Sequence, residues 1–276
     1  MKHPLRPFLL NHPLRIGLAG AGGNGSQMLG GLARLHTALR ALGHPGLTVS
    51  VFDPDHVSPA NLGRQLFSPA DLGCNKAQVL VNRINCFFNL QWQAHPVKLT
   101  RRSGQCWDFL IGCVDSAAAR LELDRCKFHY WLDLGNSAKF GQVVLGEPSR
   151  VSPHSRPESV AKSFGRPMSK NEKIEHAEWL QWKANRLPNI LGVFPQLKRK
   201  RKVPGRMPGR GSVSTEDNTP SCSLAEALEE QDLFINQSVA TFALQLLWQF
   251  IREGGLDIHG YFINLQTGKV TPLPIK

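Results

Sequence analysis

Short apolar runs alternate along this chain with longer segments of helical periodicity. Residues 14–18 (Leu-Arg-Ile-Gly-Leu) predict a buried strand, and Met28, Leu32, Leu35 and Leu39 then share one helical face. The same criteria predict strands near 14–20, 47–53, 92–98, 107–113, 130–134 and 138–145, and helices near 24–42, 74–88, 116–128 and 232–253. The pattern also predicts a terminal hairpin, with strands at 261–264 and 270–273 and a turn at 266–268. The alternation predicts an α/β fold, a Rossmann-like, doubly wound, mostly parallel sheet with helices on both faces.

A glycine-rich stretch, Gly-Ala-Gly-Gly-Asn-Gly-Ser, separates the first predicted strand from the first helix and contains Gly20, Gly22, Gly23 and Gly25. A strand, a glycine turn and a helix together present free backbone N–H groups and a positive helix end to a phosphate. In this arrangement Gly20 makes the turn, Gly22 lets phosphates approach, and Gly25 lets the helix pack on the strand. The stretch also satisfies the dinucleotide fingerprint, so NAD and ATP both remain open on this evidence.

The second predicted strand ends at Asp53, a carboxylate suited to accept hydrogen bonds from a ribose. It lies 33 residues after Gly20, further than the usual spacing of about 20. A polar series then follows, consisting of Asp55, Asn61, Arg64, Gln65 and Lys76. Attack on the α-phosphate of ATP builds charge on phosphoryl oxygens and on departing pyrophosphate, which fixed cations and amide donors stabilise. Hydride transfer needs no such series, so these residues favour nucleotidyl transfer.

The series resembles the adenylating domain of the superfamily that contains ThiF, MoeB and the ubiquitin-activating enzymes. The shared pattern is the glycine loop, then D-x-D-x-V-x-x-x-N-L-x-R-Q-x-F beginning at Asp53, then G-x-x-K ending at Lys76. The resemblance covers roughly residues 15–146 and resumes near 221. Within the superfamily the closest resemblance is to the ThiF-related family of the PRTRC cassette of mobile bacterial elements, through residues 130–136, 141–147, 220–228 and 264–274.

This resemblance implies ATP-dependent adenylation of the C-terminal carboxylate of a small ubiquitin-like or sulfur-carrier-type protein. Asp53 would hold the ribose hydroxyls, Asp55 would also bind the nucleotide, and the phosphates would meet the glycine loop together with Asn61, Arg64, Gln65 and Lys76. Asp115 would hold Mg²⁺ or orient the acyl carboxylate. The other role open to Asp115 is to cap the next helix, which Ser116 can equally do. The resemblance also implies a homodimer, with Arg6 and Arg15 as candidates for an arginine lent to the partner's site.

Cys222, in the sequence Pro-Ser-Cys-Ser before an apolar helix, resembles the position at which superfamily members carry a thioester-forming cysteine. A thiolate there would take the acyl group from the adenylate. The alternative is a small residue in a turn. Among the six cysteines there is no Cys-x-x-Cys pair, so we expect no zinc.

The formal net charge of +12 is concentrated in one part of the chain, since residues 147–215 contain fifteen Lys and Arg but only five Glu. We interpret this basic insert as a solvated or partner-binding loop, with nucleic acid as a less favoured partner. The chain is accordingly divided into an ATP-binding core (1–146), the insert (147–219) and a C-terminal helix and hairpin that complete the core (220–276). The longest apolar segment, 239–251, is too short and too polar to span a bilayer. We therefore expect a cytoplasmic protein with no membrane partner.

Two other functions remain open on the sequence. One is an NAD-dependent Rossmann oxidoreductase, although no obvious acid–base pair for hydride transfer accompanies the glycines. The other is a non-catalytic nucleotide-binding adaptor in a plasmid maintenance or partition cassette, which would use the basic insert to contact DNA or a partition protein.

Overall fold

An eight-stranded sheet forms the centre of the protein in the computed structural model, which describes residues 2–149, 167–174, 176–177, 186–198 and 231–275. The strand order is β10-β9-β7-β6-β5-β2-β3-β4. The strands β2 to β6 are parallel, whereas β7, β9 and β10 join the sheet antiparallel. The strands are β2 (Leu14–Ala19), β3 (Leu47–Phe52), β4 (Gln93–His95), β5 (Cys106–Gly112), β6 (Lys127–Asn136), β7 (Phe140–Gly146), β9 (Ile258–Asn264) and β10 (Lys269–Pro274).

Helices cover the sheet on its two faces, so the predicted fold class is confirmed. They are α1 (Gly23–Ala41), α2 (Lys76–Phe88), α3 (Ala117–Leu123), α4 (Ile190–Val193) and α5 (Ile235–Glu253). One core lies between the sheet and the long helices α1, α2 and α5. The second core, on the opposite face, packs Trp107 and Trp131 of the sheet against Leu123 of α3 and Ile190 of α4. No helix among the described residues is long and apolar enough to cross a bilayer.

A small second sheet ties the beginning of the described chain to the segment after α5. It pairs β1 (His3–Pro4) with β8 (Gly255–Leu256), and the sequence pattern did not predict it. Gly254, which ends α5, adopts the left-handed conformation that glycine favours. Its carbonyl accepts a hydrogen bond from the Leu5 N–H at 3.0 Å, which extends this connection by one residue.

Two predicted boundaries are wrong for the same reason. The helix predicted over 116–128 ends at Leu123, and the strand predicted over 130–134 already begins at Lys127. Phe128 and Tyr130 lie opposite Trp107 and Phe109 of β5 in the parallel register. Because both side chains are buried against that neighbour, sheet pairing decides their conformation, and an apolar run of this length is ambiguous between helix and strand.

Three other boundaries differ by a few residues. The predicted strand 92–98 is limited to Gln93–His95, which are the residues that pair with β3. The helix predicted from 74 begins at Lys76, because the Asn75 side chain accepts a hydrogen bond from Gln78 N and caps the helix. The helix predicted from 232 begins at Ile235.

Candidate active site

The carboxyl ends of the parallel strands lie side by side, since Ala19 of β2 pairs with Phe52 of β3 and with Gly112 of β5. Gly112 in turn pairs with Asp133 near the end of β6. The order along this edge is therefore Asp53 after β3, the glycine loop after β2, Asp115 after β5, and Asn136 at the end of β6. Ligands of open α/β sheets bind at this edge.

Close contacts shape the glycine loop. Gly20 has a φ of +92°, and a Cβ there would lie 2.5 Å from the carbonyl oxygen of Cys113. A Cβ on Gly25 would lie 1.9 Å from the carbonyl oxygen of Gly20, and one on Gly23 would lie 2.5 Å from Asn236 Oδ1. A Cβ on Gly22 would lie 3.9 Å from the nearest such atom, Gln65 Oε1. Of these four glycines, Gly22 therefore leaves room for a ligand to approach the backbone.

Asp53 links the glycine loop to the segment after β3. Its carboxylate accepts hydrogen bonds from Ala21 N at 2.6 Å and from Asp55 N at 2.8 Å. Burial raises the pKa of Asp53 above its ordinary value, although these two N–H groups and the nearby Lys76 oppose the shift. Each carboxylate oxygen accepts more than one hydrogen bond, so these contacts are compatible with a ribose ligand.

Lys76 lies at the first turn of α2, and only 8% of its surface is exposed. Its Nζ is 3.4 Å from Oδ2 of Asp55, whose side chain is 65% exposed. Asn75 Nδ2 donates to the backbone oxygens of Asp53 and Asp55, at 2.9 and 3.0 Å. These bonds fix the start of α2 beside the end of β3, and they place the ammonium group of Lys76 at the same edge as the glycine loop. The sequence analysis missed Asn75, although an Asn directly before a helix is a recognisable capping signal.

Asn61 ends a 3₁₀ turn (Pro59–Asn61), and Arg64 and Gln65 follow it. Asn61 Oδ1 accepts from Ser58 N at 2.9 Å and from Ser58 Oγ at 3.1 Å, which fixes the turn. Arg64 donates to Gln231 Oε1 from a half-buried position. Gln65 Oε1 is buried and has no hydrogen-bond partner among the described residues. Half a turn of that amide exchanges its oxygen for its nitrogen, so Gln65 can present either an acceptor or a donor beside Gly22.

Asp115 is exposed and lies in the connection between β5 and α3. The cap of α3 is Ser116, whose hydroxyl accepts from Ala119 N at 3.1 Å, so capping does not occupy the Asp115 carboxylate. Arg120 donates to the Asp115 backbone oxygen at 3.1 Å, and its Nε lies 3.1 Å from both carboxylate oxygens of Asp133. Burial raises the pKa of Asp133 to about 6, against the lowering effect of Arg120. This buried ion pair, which the sequence analysis missed, holds the backbone at Asp115.

These residues suit a nucleotide better than a metal held by protein alone. Within the described part of the chain, no three His, Cys, Asp or Glu side chains are close enough together to hold a metal ion. Mg²⁺ is typically bound through one or two carboxylates together with substrate phosphates and water. Asp115 is a suitable single ligand of that kind. The approachable Gly22 backbone N–H, and the Gln65 amide when it is turned so that its NH₂ group faces the ligand, offer hydrogen-bond donors to the phosphates.

A second polar group lies on the other side of the glycine loop, and it consists of Asn24, Asn136, Gln231 and Asn236. Asn24 Nδ2 donates to Asn136 Oδ1 at 2.8 Å, and Asn236 Nδ2 donates to Gln231 Oε1 at 3.4 Å. The sequence analysis assigned no role to these side chains. Asn24 is inside the glycine stretch and Asn136 shortly follows the strand predicted near 130–134, which are usable signals, but nothing in the sequence indicates that Gln231 and Asn236 return to this loop.

The two arginines considered for exchange between subunits are held within their own chain. Arg6 Nη2 lies 2.8 Å from Glu147 Oε1, and Arg15 Nη2 lies 2.9 Å from Asp108 Oδ1. Arg15 and Asp108 are near the starts of β2 and β5, at the edge of the sheet opposite the glycine loop. Cys222 falls outside the described residues, as does most of the basic run that begins at Lys198.

Comparison with known proteins places this geometry in a family. The model of the ThiF family matches residues 10–170. Among solved structures the fold is similar to E. coli MccB in complex with AMPCPP and MccA, with a TM-score of 0.51 and 13% sequence identity. It is also similar to PaaA, with the same TM-score and identity. No curated protein sequence matches the chain.

Each of these two structural alignments covers 95% of this chain and 64% of the other protein. The chain therefore spans less than two thirds of the length of the solved structures that it matches. At such low identity the likeness concerns the fold, whereas the family model matches the sequence itself. Since that model covers more than half of the 276 residues and includes the glycine loop, Lys76 and Asp115, the chain belongs to the ThiF family.

Proposed function

We propose that this protein is an ATP-dependent adenylyltransferase that activates a carboxylate. The observation that carries the proposal is the order of groups along one edge of the sheet. A buried lysine (Lys76) and a ribose-type carboxylate (Asp53) lie at the end of β3, and the approachable glycine loop after β2 and an exposed carboxylate (Asp115) after β5 follow along that edge. The likeness of fold to MccB, which has been solved together with AMPCPP and MccA, supports the same assignment.

The chemistry proposed is attack of a carboxylate oxygen on the α-phosphorus of ATP. A bond forms between that oxygen and phosphorus, the bond from the α-phosphorus to the bridging oxygen breaks, and pyrophosphate leaves with the electron pair. Asp53 holds the ribose, the glycine loop meets the phosphates, and Arg64 and Lys76 stabilise the charge that develops on the phosphoryl oxygens. When bound, Mg²⁺ neutralises phosphate charge beside Asp115.

The finer assignment rests on the family resemblance. We infer that the carboxylate is the C terminus of a small ubiquitin-like or sulfur-carrier-type protein, and that the enzyme is a cytoplasmic homodimer. Light scattering measures the subunit number directly. An NAD-dependent oxidoreductase is the less favoured function, because Lys76, Arg64 and Asp115 suit stabilisation of phosphoryl charge, which hydride transfer does not need.

Nucleotide choice provides the first test. ATP with Mg²⁺ at 100 times its Kd stabilises the native state by about 2.7 kcal/mol, which is a rise in Tm of roughly 5–10 °C for a chain of this size. NAD should produce no rise. Asp53→Ala should abolish the ATP effect, whereas Asp257→Ala, which removes an exposed carboxylate away from the site, should keep it. Stabilisation by NAD equal to that by ATP would refute adenylation.

Exchange of labelled pyrophosphate into ATP, in the presence of the carrier protein, tests the chemical step. Alanine at Arg64, Lys76 or Asp115 should slow exchange by about 10²–10³-fold, as for loss of an oxyanion donor. The matched control is Arg125→Ala, which removes an exposed cation that forms an ion pair with Glu122 and should leave exchange intact. Near-normal exchange by Asp115→Ala would remove that residue from the proposed catalytic group.

We also propose that Cys222 receives the acyl group from AMP as a thioester. Enzyme, ATP and carrier protein should then form a covalent adduct that survives non-reducing gels and disappears with dithiothreitol. Because adenylation precedes transfer and uses other residues, Cys222→Ala should lose the adduct but keep pyrophosphate exchange. An adduct that persists in this variant would assign the transfer to another cysteine.

A further inference from the structure

Two asparagine side chains meet beside the glycine loop and leave polar groups unpaired. Asn24 is in the first turn of α1, Asn136 is the last residue of β6, and Asn24 Nδ2 donates to Asn136 Oδ1 at 2.8 Å. Asn24 is only 8% exposed. Its Oδ1 and the Nδ2 of Asn136 are both buried, and neither has a hydrogen-bond partner among the described residues.

The hydrogen bond between Asn24 and Asn136 leaves one donor and one acceptor unpaired, whichever way the two amides are turned. Each side-chain amide carries one carbonyl oxygen and one NH₂ group, and the bond between them uses one of each. Rotating both amides by half a turn leaves the other NH₂ and the other oxygen instead. Buried polar groups without partners are rare and unfavourable in folded proteins. A ligand that offers both a donor and an acceptor would therefore be stabilised here.

The chemistry of the pair selects among possible ligands. Carboxylate and phosphate oxygens only accept, so either group would satisfy the asparagine donor and leave the asparagine acceptor unpaired. A peptide group carries an N–H donor and a C=O acceptor, and it satisfies both. Water also carries both, and it is the alternative that an experiment must separate from a peptide.

The position of the pair indicates which reactant would bring the peptide group. Along the carboxyl edge of the sheet, Asp53 lies at the β3 end and Asn136 at the β6 end, with the glycine loop and Asp115 between them. In the proposed reaction the ribose is at Asp53 and the phosphates are at the glycine loop. The acyl group must approach the α-phosphate. It would do so from the β6 end of this edge, which the nucleotide does not occupy.

We propose that Asn24 and Asn136 form a subsite that binds the last peptide group of the acyl substrate, directly before its reacting carboxylate. This inference rests on the proposed adenylation. It adds that the enzyme recognises the main chain of a peptide or protein C terminus, and that a small free acid without a peptide bond is a poor substrate.

Two matched peptide pools test the subsite in pyrophosphate exchange. One is Xaa-Xaa-Gly-Gly with a free carboxylate and randomised Xaa, and the other has glycolic acid in place of the last glycine, which exchanges the last N–H for an ester oxygen. The amide pool should support exchange, and the ester pool should show a KM at least about tenfold higher, because a buried acceptor loses its donor. In Asn24→Leu and Asn136→Leu this ratio should approach one, while ATP with Mg²⁺ still raises Tm.

The control is Asn82→Leu, which changes an exposed asparagine on α2 and should keep the discrimination between amide and ester. The two test residues lie on different elements, so if Asn24→Leu fails to fold, Asn136→Leu or Asn136→Ala decides the matter. An amide-to-ester ratio unchanged in the folded variants would overturn the subsite and assign the pair to bound water. Exchange with neither pool, in a protein that ATP stabilises, would overturn it while nucleotide binding stands. Absence of any ATP effect on the wild-type protein would reject the proposed function and this inference together.

Discussion

The pKa values of buried carboxylates are shifted in opposite directions at the two ends of the parallel strands. At the carboxyl edge burial prevails, and it raises the pKa of Asp53 and raises that of Asp133 to about 6. Asp108 is fully buried near the opposite edge. Burial alone would raise its pKa as well, but the guanidinium and backbone N–H of Arg15, together with His12, lower it below the ordinary value. Asp108 is thus a structural anion, and it stabilises the fold as long as it is ionised.

Asp108→Asn should destabilise the protein at pH 7 by about 1–3 kcal/mol, since it removes the buried carboxylate that pairs with the partly exposed guanidinium of Arg15. A group whose folded pKa lies below its unfolded value, about 3.9 for Asp, contributes stability above that value and loses it as the pH falls through the folded pKa. The difference in unfolding free energy between wild type and variant should therefore shrink below about pH 4. Denaturant unfolding at pH 7 and pH 3 measures it.

The control is Glu122→Gln, which removes a surface ion pair with Arg125 and should cost no more than about 1 kcal/mol at pH 7. If Asp108→Asn were equally destabilising at both pH values, the loss would come from packing and not from charge.

Two of the four glycines of helix α1, Gly25 and Gly30, differ in the space around them. At Gly25 a Cβ would lie 1.9 Å from the carbonyl oxygen of Gly20, so the helix cannot approach β2 with any larger residue there. At Gly30, in the same helix, a Cβ would have no heavy atom within 4 Å apart from those of its chain neighbours and the backbone of the helix itself. Glycine in a helix interior without a packing reason is unfavourable by about 1 kcal/mol relative to alanine.

Gly30→Ala should therefore stabilise the protein by roughly 0.5–1 kcal/mol and leave the response to ATP unchanged. Gly25→Ala should destabilise it by about 2 kcal/mol or more, as overpacking against rigid backbone does, and should abolish stabilisation by ATP because the loop is displaced. Thermal unfolding of both variants with and without ATP measures the contrast. A stable Gly25→Ala protein that still responds to ATP would contradict the packing role given to this glycine.

The sheet as a whole is completed by the C-terminal hairpin, whose two strands differ in importance. Strand β9 pairs with β7 and buries Gly260 and Ile263, and a Cβ on Gly260 would lie 2.2 Å from the Val143 carbonyl oxygen. Strand β10 pairs only with β9 in the main sheet, and none of its residues is buried.

Deletion of residues 269–276 should consequently leave a folded protein with a Tm lower by several degrees and an intact response to ATP. Deletion of 258–276 removes the partner of β7 and exposes apolar surface and an unpaired strand edge, so it should prevent folding. Circular dichroism and calorimetry on the two truncated proteins distinguish these outcomes. Equal loss of structure in both would show that β10 is needed for the sheet to form.

Much of the fold and site follows from local sequence. The period of apolar residues predicts the long helices and buried strands because each such element must bury one face, and the glycine stretch predicts the turn between β2 and α1. The polar series from Asp53 to Lys76 lies between β3 and the first turn of α2, so the sequence itself assigns its members to one connection after β3. Family membership also follows from these residues, as the match over 10–170 confirms.

Other features depend on contacts between residues far apart in the chain, and local sequence does not contain them. The start of β6 at Lys127 is decided by pairing with β5. The contact of Asn24 with Asn136 joins positions 112 residues apart, and that of Arg64 with Gln231 joins positions 167 apart. Such contacts form only when the sheet brings the strand ends together, because packing and burial across elements, and not local propensity, select the partner of each polar group.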